Sequence, residues 1–191
     1  MDLNINDKTA LVTGASSGIG RGIAIALGRE GVRLAIAARR RDLLEETAKE
    51  ITDAGGLAPI IIECDLMQED AIDTIADTAL KDLGKVNVLI NNAGGSRAFN
   101  LETTDEQWEE ALTLNFTRQR QLTRALIENM IDAKWGRIVN ITGKSEPDGL
   151  NGRFAPKQPC IPGPRGYLVK SGNLGLQLTA LLPDVLSASK S

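Results

Sequence analysis

Between its first apolar run and its first helical segment the chain reads Thr13-Gly14-Ala15-Ser16-Ser17-Gly18-Ile19-Gly20. Glycines and small hydroxyl side chains in this spacing can hold a phosphate. The loop follows the short β-prone run Lys8 to Val12 and opens a segment with helical apolar spacing at Ile19, Ile23, Ala24 and Leu27. A strand, a glycine loop and a helix in that order gather backbone N–H groups and the positive end of a helix dipole at one point, which suits a pyrophosphate. Gly14 can make the tight turn, Gly18 lets a ligand approach the backbone, and Gly20 lets the helix pack closely on the strand. The spacing is G-x-x-x-G-x-G rather than G-x-G-x-x-G, so a plain strand-to-helix turn is the structural alternative.

Three more groups of polar residues close apolar runs or interrupt a helix. Cys64-Asp65-Leu66 ends Leu57 to Ile62, and Asn91-Asn92-Ala93-Gly94 ends Val86 to Ile90. Asn115 falls inside a helical pattern, Leu112-Thr113-Leu114-Asn115, where an asparagine competes for backbone hydrogen bonds. There is no histidine, which excludes histidine-based triads and ordinary zinc sites. The two cysteines, Cys64 and Cys160, form neither a disulfide framework nor a metal spacing, so a reducing cytoplasm is the expected location. No metal is expected.

These residues need elements to position them, and the chain supplies strands alternating with helices. Strand-like runs are Lys8–Thr13, Arg33–Ala38, Leu57–Glu63, Val86–Ile90 and Arg137–Thr142. Between them lie helical patterns at Ile19–Glu30, Leu43–Ala54, Glu69–Leu83 and a long one from Asp105 to about Ala133. Thr104 or Asp105 suits the start of the long helix and Gly136 its stop. Repeated β-α-β units with short loops argue for a parallel sheet covered on both faces, and the nearly continuous apolar strands agree. With 191 residues, 42% hydrophobic and only 3% aromatic, one domain can bury a full but aliphatic core. A net charge of −3 gives no electrostatic case for nucleic acid. No apolar run reaches the roughly 18 residues that would span a membrane, and Met1 to Lys8 lacks the apolar stretch of a signal peptide.

Thr13 to Gly20, Asp65, Asn91 to Gly94 and Asn115, in this order, resemble the short-chain dehydrogenase/reductase family, closest to its 3-oxoacyl-acyl-carrier-protein reductase-like members. The resemblance runs from about Asp7 to about Asp148. It implies an α/β fold, a Rossmann-type doubly wound parallel sheet, here lacking the family's last strands. The ligand should lie at the carboxyl ends of the strands. By the same resemblance Gly14, Ser16, Ser17, Gly18, Ile19 and Gly20 bind the dinucleotide, Asp65 and Leu66 read its adenine, and Asn91, Ala93 and Gly94 meet its ribose. A solvated loop acid is the alternative for Asp65, and the asparagine pair can be purely structural, bonding the backbone of neighbouring strands. The matching asparagine of the family bends its helix and holds a water of the proton relay, a role that would fall to Asn115.

Cofactor choice is legible at the end of the second strand. NAD-preferring relatives carry an acid there for the ribose 2′-hydroxyl. Here the stretch is Ala37-Ala38-Arg39-Arg40-Arg41, with no carboxylate until Asp42. Guanidinium groups suit a 2′-phosphate through bidentate, charge-assisted bonds, so Arg39 and Arg40 favour NADP over NAD. A solvated basic turn is the alternative.

The expected chemistry is hydride transfer from NADPH to a small-molecule or acyl-linked carbonyl, 3-oxoacyl-like by resemblance. The family protonates the product from a Tyr whose pKa is lowered by a Lys four residues later, and polarises the substrate oxygen with a Ser about a dozen residues earlier. The fifth strand, Gly136 to Thr142, matches, but Gly143 stands where the family has its serine. No Tyr-x-x-x-Lys occurs anywhere. The single tyrosine, Tyr167, has Lys170 three residues on. Candidates for a displaced acid are therefore Lys144, Ser145 and Tyr167, with Lys170 beside it.

After Asn151 the composition changes. The stretch 151–191 holds five of the seven prolines and one acid, Asp184, against five bases. Pro156, Pro159, Pro162 and Pro164 forbid the helix that carries the family's Tyr and Lys. Leu174 to Leu182 can form a short apolar helix or strand. Starting each triplet one base earlier, Lys157 to Gly172 can become K-A-A-M-H-S-W-A-K-G-L-S-R-E-V-G. Leu176 to Val185 can become I-T-V-N-C-I-A-P-G-R, which resembles the family's sixth strand and its Pro-Gly turn. The chain thus divides into a dinucleotide-binding domain, 1–150, and an aberrant, frame-shifted tail, 151–191. It stops short of the family's last strand and substrate loop. Family tetramers use the long fifth helix and a sixth that this tail does not make, so the usual homo-oligomer is not expected. Two readings remain open: a reductase with a displaced acid, and a catalytically dead dinucleotide-binding remnant.

Overall fold

Strand β1, Thr9–Thr13, is buried at every residue, and its alternation decides the layering of the molecule. In the computed structural model, which describes residues 4–95 and 103–142 and the backbone of 168–170 and 176–180, Leu11 points to one face of a sheet and Ala10 and Val12 to the other. A strand apolar on both sides can only be central. It pairs in parallel with β2 (Arg33–Ala38) on one side and β4 (Val88–Asn91) on the other. Strand β3 (Ile60–Glu63) extends the β2 side and β5 (Arg137–Ile141) the β4 side, both parallel.

Helices cover both faces. Helices α1 (Gly18–Arg29) and α2 (Arg41–Asp53) place Ala24, Leu44 and Ile51 over Val12, Ile36 and Ile90. On the other face α3 (Ala71–Leu83) supplies Ile75 and Ala79, and α5 (Arg118–Asp132) supplies Leu122, Leu126 and Met130, over Leu11, Ala37 and Leu89. The core is aliphatic, as so few aromatic residues require. None of the described helices is long and apolar enough to cross a membrane.

The sheet order is β3-β2-β1-β4-β5, followed by two short strands, β7 (Leu176–Ala180) and β6 (Leu168–Lys170). The chain winds outward from β1 through β2 and β3, then returns to start again at β4. This reversal is the switch point of a doubly wound sheet, and it opens a crevice at the carboxyl ends of β1 and β4. The expected Rossmann-type architecture is present, with five parallel strands. The tail adds to it differently: β7 runs antiparallel to β5, and β6 antiparallel to β7.

Among the boundaries that differ from their sequence patterns, three have a clear physical reason. The third strand begins at Ile60, not Leu57, whose side chain is exposed. The long helix starts at Asp105 after a capping box in which Thr104 and Gln107 bond each other's backbone N–H, but it is not one helix. A π-helical segment, Thr113–Thr117, divides α4 (Asp105–Leu112) from α5. The reversal after α5 is made by Lys134, in a left-handed conformation at φ 50°, rather than by Gly136. Trp135 N–H and Lys134 N–H close the turn on the Met130 and Ile131 carbonyls. Gly136 serves close packing instead, because a Cβ there would lie 2.6 Å from Met130 Cβ.

Candidate dinucleotide site

The glycine loop is held open by backbone geometry before any ligand is considered. Gly14 is left-handed, at φ +66°, and a Cβ on it would lie 2.8 Å from the Asn92 amide nitrogen. Both conditions demand glycine. A Cβ on Gly20 would collide with the Gly14 carbonyl oxygen and the Asn92 amide, so Gly20 packs α1 against the loop itself rather than against the strand. Gly18, also left-handed at φ +58°, has open space where a Cβ would be. Gly14 N–H and Ala15 N–H bond to the Ala37 carbonyl, at 2.7 and 3.3 Å, which fixes the loop on β2.

Helix α1 then begins with its N-cap residue in extended conformation but without a side-chain cap bond from Ser17. The orphan N–H groups and the dipole of its first turn face the loop without a competing hydroxyl. Ser17 Oγ instead lies 3.4 Å from Arg40 Nη2.

A second loop closes the crevice from the β4 side. Thr13 Oγ1 accepts from Asn92 N–H and Ala93 N–H, both at 3.1 Å, and donates to the Ile90 carbonyl. The Asn92 amide donates to the carbonyls of Thr13 and Gly14, at 3.0 and 3.1 Å. Gln119, buried in α5, donates to the Ala93 carbonyl at 2.9 Å. Asn115 holds both backbone polar groups of Gly95: Gly95 N–H donates to Oδ1, and Nδ2 donates to the Gly95 carbonyl. The same nitrogen donates to the Ala111 carbonyl, four residues back. A side chain taking that carbonyl shifts the backbone to wider turns, and Arg118 N–H bonds five residues back, to Thr113.

These loops enclose a cavity of about 510 Å³, the size range of small-molecule and cofactor sites. Its lining includes Gly14, Ser16, Ser17, Ile19, Arg39, Arg40, Asp65, Leu66, Ala93, Gly94 and Asn115. Eleven of the residues singled out by sequence therefore converge from five separate segments. Asp65 accepts the Met67 N–H at 3.0 Å and stands 3.9 Å from Arg39 Nη1. Arg41 is turned to Glu45 at 2.9 Å, one turn along α2. The Cys64 thiol, also at the wall, is pushed up from its ordinary pKa, first by burial and then by Asp70 and Asp65, with Arg118 opposing.

Asn91 falls elsewhere. It is fully buried, does not line the cavity, and its amide nitrogen bonds Thr123 Oγ1 and Asn140 Oδ1, at 3.1 and 2.9 Å. This corrects the reading of Asn91 as a ribose contact: successive residues at the end of a strand point to opposite faces, so the cavity receives Asn92. Gly18 and Gly20 shape the loop without lining the cavity. Lys144, Ser145 and Tyr167 lie outside the described residues, and of Lys170 only the backbone, in β6, is described. Among the described residues no group of acids and cysteines could hold a metal ion. Asn92 takes the structural role expected of the asparagine pair, bonding the carbonyls of Thr13 and Gly14; Gln119 was missed, and could have been found four residues after Asn115, on the same helix face.

The cradle fits a dinucleotide: a glycine that cannot take a Cβ, an uncapped helix N-terminus and two arginines on the wall of one cavity. The comparisons with known proteins agree. Residues 8–153 match the family model described as short chain dehydrogenase. A fatty acyl-CoA reductase of Mycobacterium tuberculosis is 36% identical over 142 residues, which cover 73% of this chain and 48% of that protein. The crystal structure of a metagenomic short-chain oxidoreductase in complex with NADP superposes with a TM-score of 0.72 at 35% identity, covering 78% of this chain and 68% of the other. A 7α-hydroxysteroid dehydrogenase complexed with NADH and 7-oxo glycochenodeoxycholic acid gives a TM-score of 0.75 at 30% identity, covering 78% and 59%. The chain spans about half the length of the curated relatives it matches.

Proposed function

The chain belongs to the short-chain dehydrogenase family, and on that premise we propose that it is an NADP-binding oxidoreductase module for carbonyl reduction. The observation that carries the NADP reading is the rim of the cavity. Arg39 and Arg40 stand at the turn between β2 and α2 without an intervening acid, and Arg40 reaches Ser17 on the glycine loop. A 2′-phosphate between these groups gains charge-assisted bonds from two guanidiniums.

This reading assigns each part of the ligand to a group of residues. The N–H groups at the start of α1 and the turn at Gly14 hold the pyrophosphate. Asp65 and Leu66 border the adenine end, and Asn92, Ala93 and Gly94 border the nicotinamide ribose. NADPH, when bound, supplies the hydride. The chain's own residues keep the nicotinamide loop rigid through Thr13, Gln119 and Asn115. The substrate class proposed is a small-molecule or acyl-linked carbonyl, 3-oxoacyl-like by sequence resemblance. The buried free thiol of Cys64 is consistent with a reducing cytoplasm.

Fluorescence titration of the chain with NADPH and with NADH tests the reading. Tighter binding of NADPH is the expected result; equal affinity, or binding of neither, overturns it.

One observation favours a second reading, that of a dinucleotide-binding chain without turnover. Gly143 replaces the serine expected after β5, and no Tyr-x-x-x-Lys occurs in the sequence. Binding with no oxidation of NADPH by a carbonyl substrate separates this reading from the first.

A further inference from the structure

We propose that Thr47 is a positioning residue for the dinucleotide, locking the glycine loop to the helix that begins at the arginine turn. The inference rests on the NADP reading above and adds a residue that neither motif contains. Thr47 lies in α2, wholly buried. Its Oγ1 is 2.8 Å from the Leu43 carbonyl, one turn back in its own helix, and 3.2 Å from the Ala15 carbonyl in the glycine loop. A hydroxyl has one proton, so these two acceptors share it.

The second acceptor is what matters. Ala15 is fully buried and packs in the apolar cluster with Ala24, Leu44 and Ile51, where a carbonyl without a partner is costly. The backbone of the loop is thus tied twice to the β2–α2 segment. The N–H groups of Gly14 and Ala15 bond to Ala37 at the end of β2, and the Ala15 carbonyl bonds to Thr47 in α2. Between these two anchors, in sequence, lie Arg39 and Arg40. The tie therefore sets the distance from the first turn of α1, which takes the pyrophosphate, to the guanidiniums, which take the 2′-phosphate.

Another link between α1 and α2 exists but is weaker in kind. Arg21 pairs with Glu46 and Glu50 at the surface, where water and salt screen the attraction. The Thr47 bond is shielded from both.

A ligand that spans loop and arginine turn should feel the loss of this tie more than one that touches the loop alone. The test compares NADPH and NADH affinities of wild type, Thr47→Val and Thr47→Ser, with melting curves on each. Valine keeps the shape and removes the proton; serine keeps the proton. We expect Thr47→Val to weaken NADPH about five- to tenfold, to leave NADH within about twofold, and Thr47→Ser to restore the wild-type preference. Unchanged NADPH affinity in the valine variant, or an equal loss for both dinucleotides, overturns the proposal. So does a serine variant that behaves like valine. Should the valine variant show no folding transition, Thr47→Ala, which sets no methyl against the two carbonyls, carries the same expectations and the same refutations. Wild type that binds neither dinucleotide, or binds both equally, fails the NADP reading itself, and this inference falls with it. A failure confined to the variants leaves that reading standing.

Discussion

Asn115 makes a two-way pair with the backbone of Gly95, accepting its N–H and donating to its carbonyl, each at 2.9 Å. The pair imitates a strand partner for a loop residue beyond the end of β4. It also accounts for an asparagine inside a helix. The third bond, from the same amide to Ala111, widens the helix into the π-helical segment Thr113–Thr117, and the widened turn carries the amide to the loop.

Replacing Asn115 by leucine should leave both polar groups of Gly95 and the Ala111 carbonyl without this partner. The expected cost is about 1–3 kcal/mol of stability, together with weaker dinucleotide binding as the loop loosens. Urea denaturation of the two proteins measures it. A variant as stable as wild type would show that the loop does not depend on Asn115.

Arg39→Ala with Arg40→Ala should lower NADPH affinity ten- to a hundredfold, from the loss of roughly 1.5–3 kcal/mol of charge-assisted hydrogen bonding. NADH affinity should change little, since a 2′-hydroxyl offers no anion. Both side chains are exposed and Arg39 is only loosely paired, at 3.9 Å from Asp65, so little folding stability is at stake. Titration of both dinucleotides decides it, and unchanged NADPH affinity removes the arginines from the site.

Carbonyl reduction by this chain should be weak despite binding. A positioned general acid typically contributes about 10²–10⁴ in rate, and no tyrosine stands four residues before a lysine. NADPH oxidation followed with a panel of 3-oxoacyl thioesters should remain that far below ordinary turnover. Ordinary rates would refute the expectation and direct attention to Lys144, Ser145 and Tyr167.

The tail leads to a prediction at the level of the gene. We propose that a one-base slip near the codons for Gly152 to Lys157 separates residues 151–191 from the parent frame. The family model ends at residue 153, close to that point. Resequencing this stretch should recover an open alternative frame encoding V-N-C-I-A-P-G in place of Leu178 to Asp184. Stop codons in the alternative frame before the codon for Ser191 would end the proposal.

Much of the fold was legible in the sequence because its signals are local. The apolar runs of β1, β2, β4 and β5, the glycine spacing from Gly14 to Gly20 and the capping residue Thr104 each act within a few residues through backbone sterics, helix ends and burial. Order along the chain then sufficed to anticipate a doubly wound sheet and a ligand at its strand ends. Tertiary structure decided which polar atoms meet across long separations. It placed Asn92 rather than Asn91 at the cavity, because β4 turns alternate side chains to opposite faces. It joined Thr47 to Ala15 across 32 residues, and Gln119 to Ala93 across 26. Such pairings have no local signature. A buried hydroxyl or amide must find a partner wherever the packed chain brings one within about 3 Å, and only the assembled sheet and helices fix where that is.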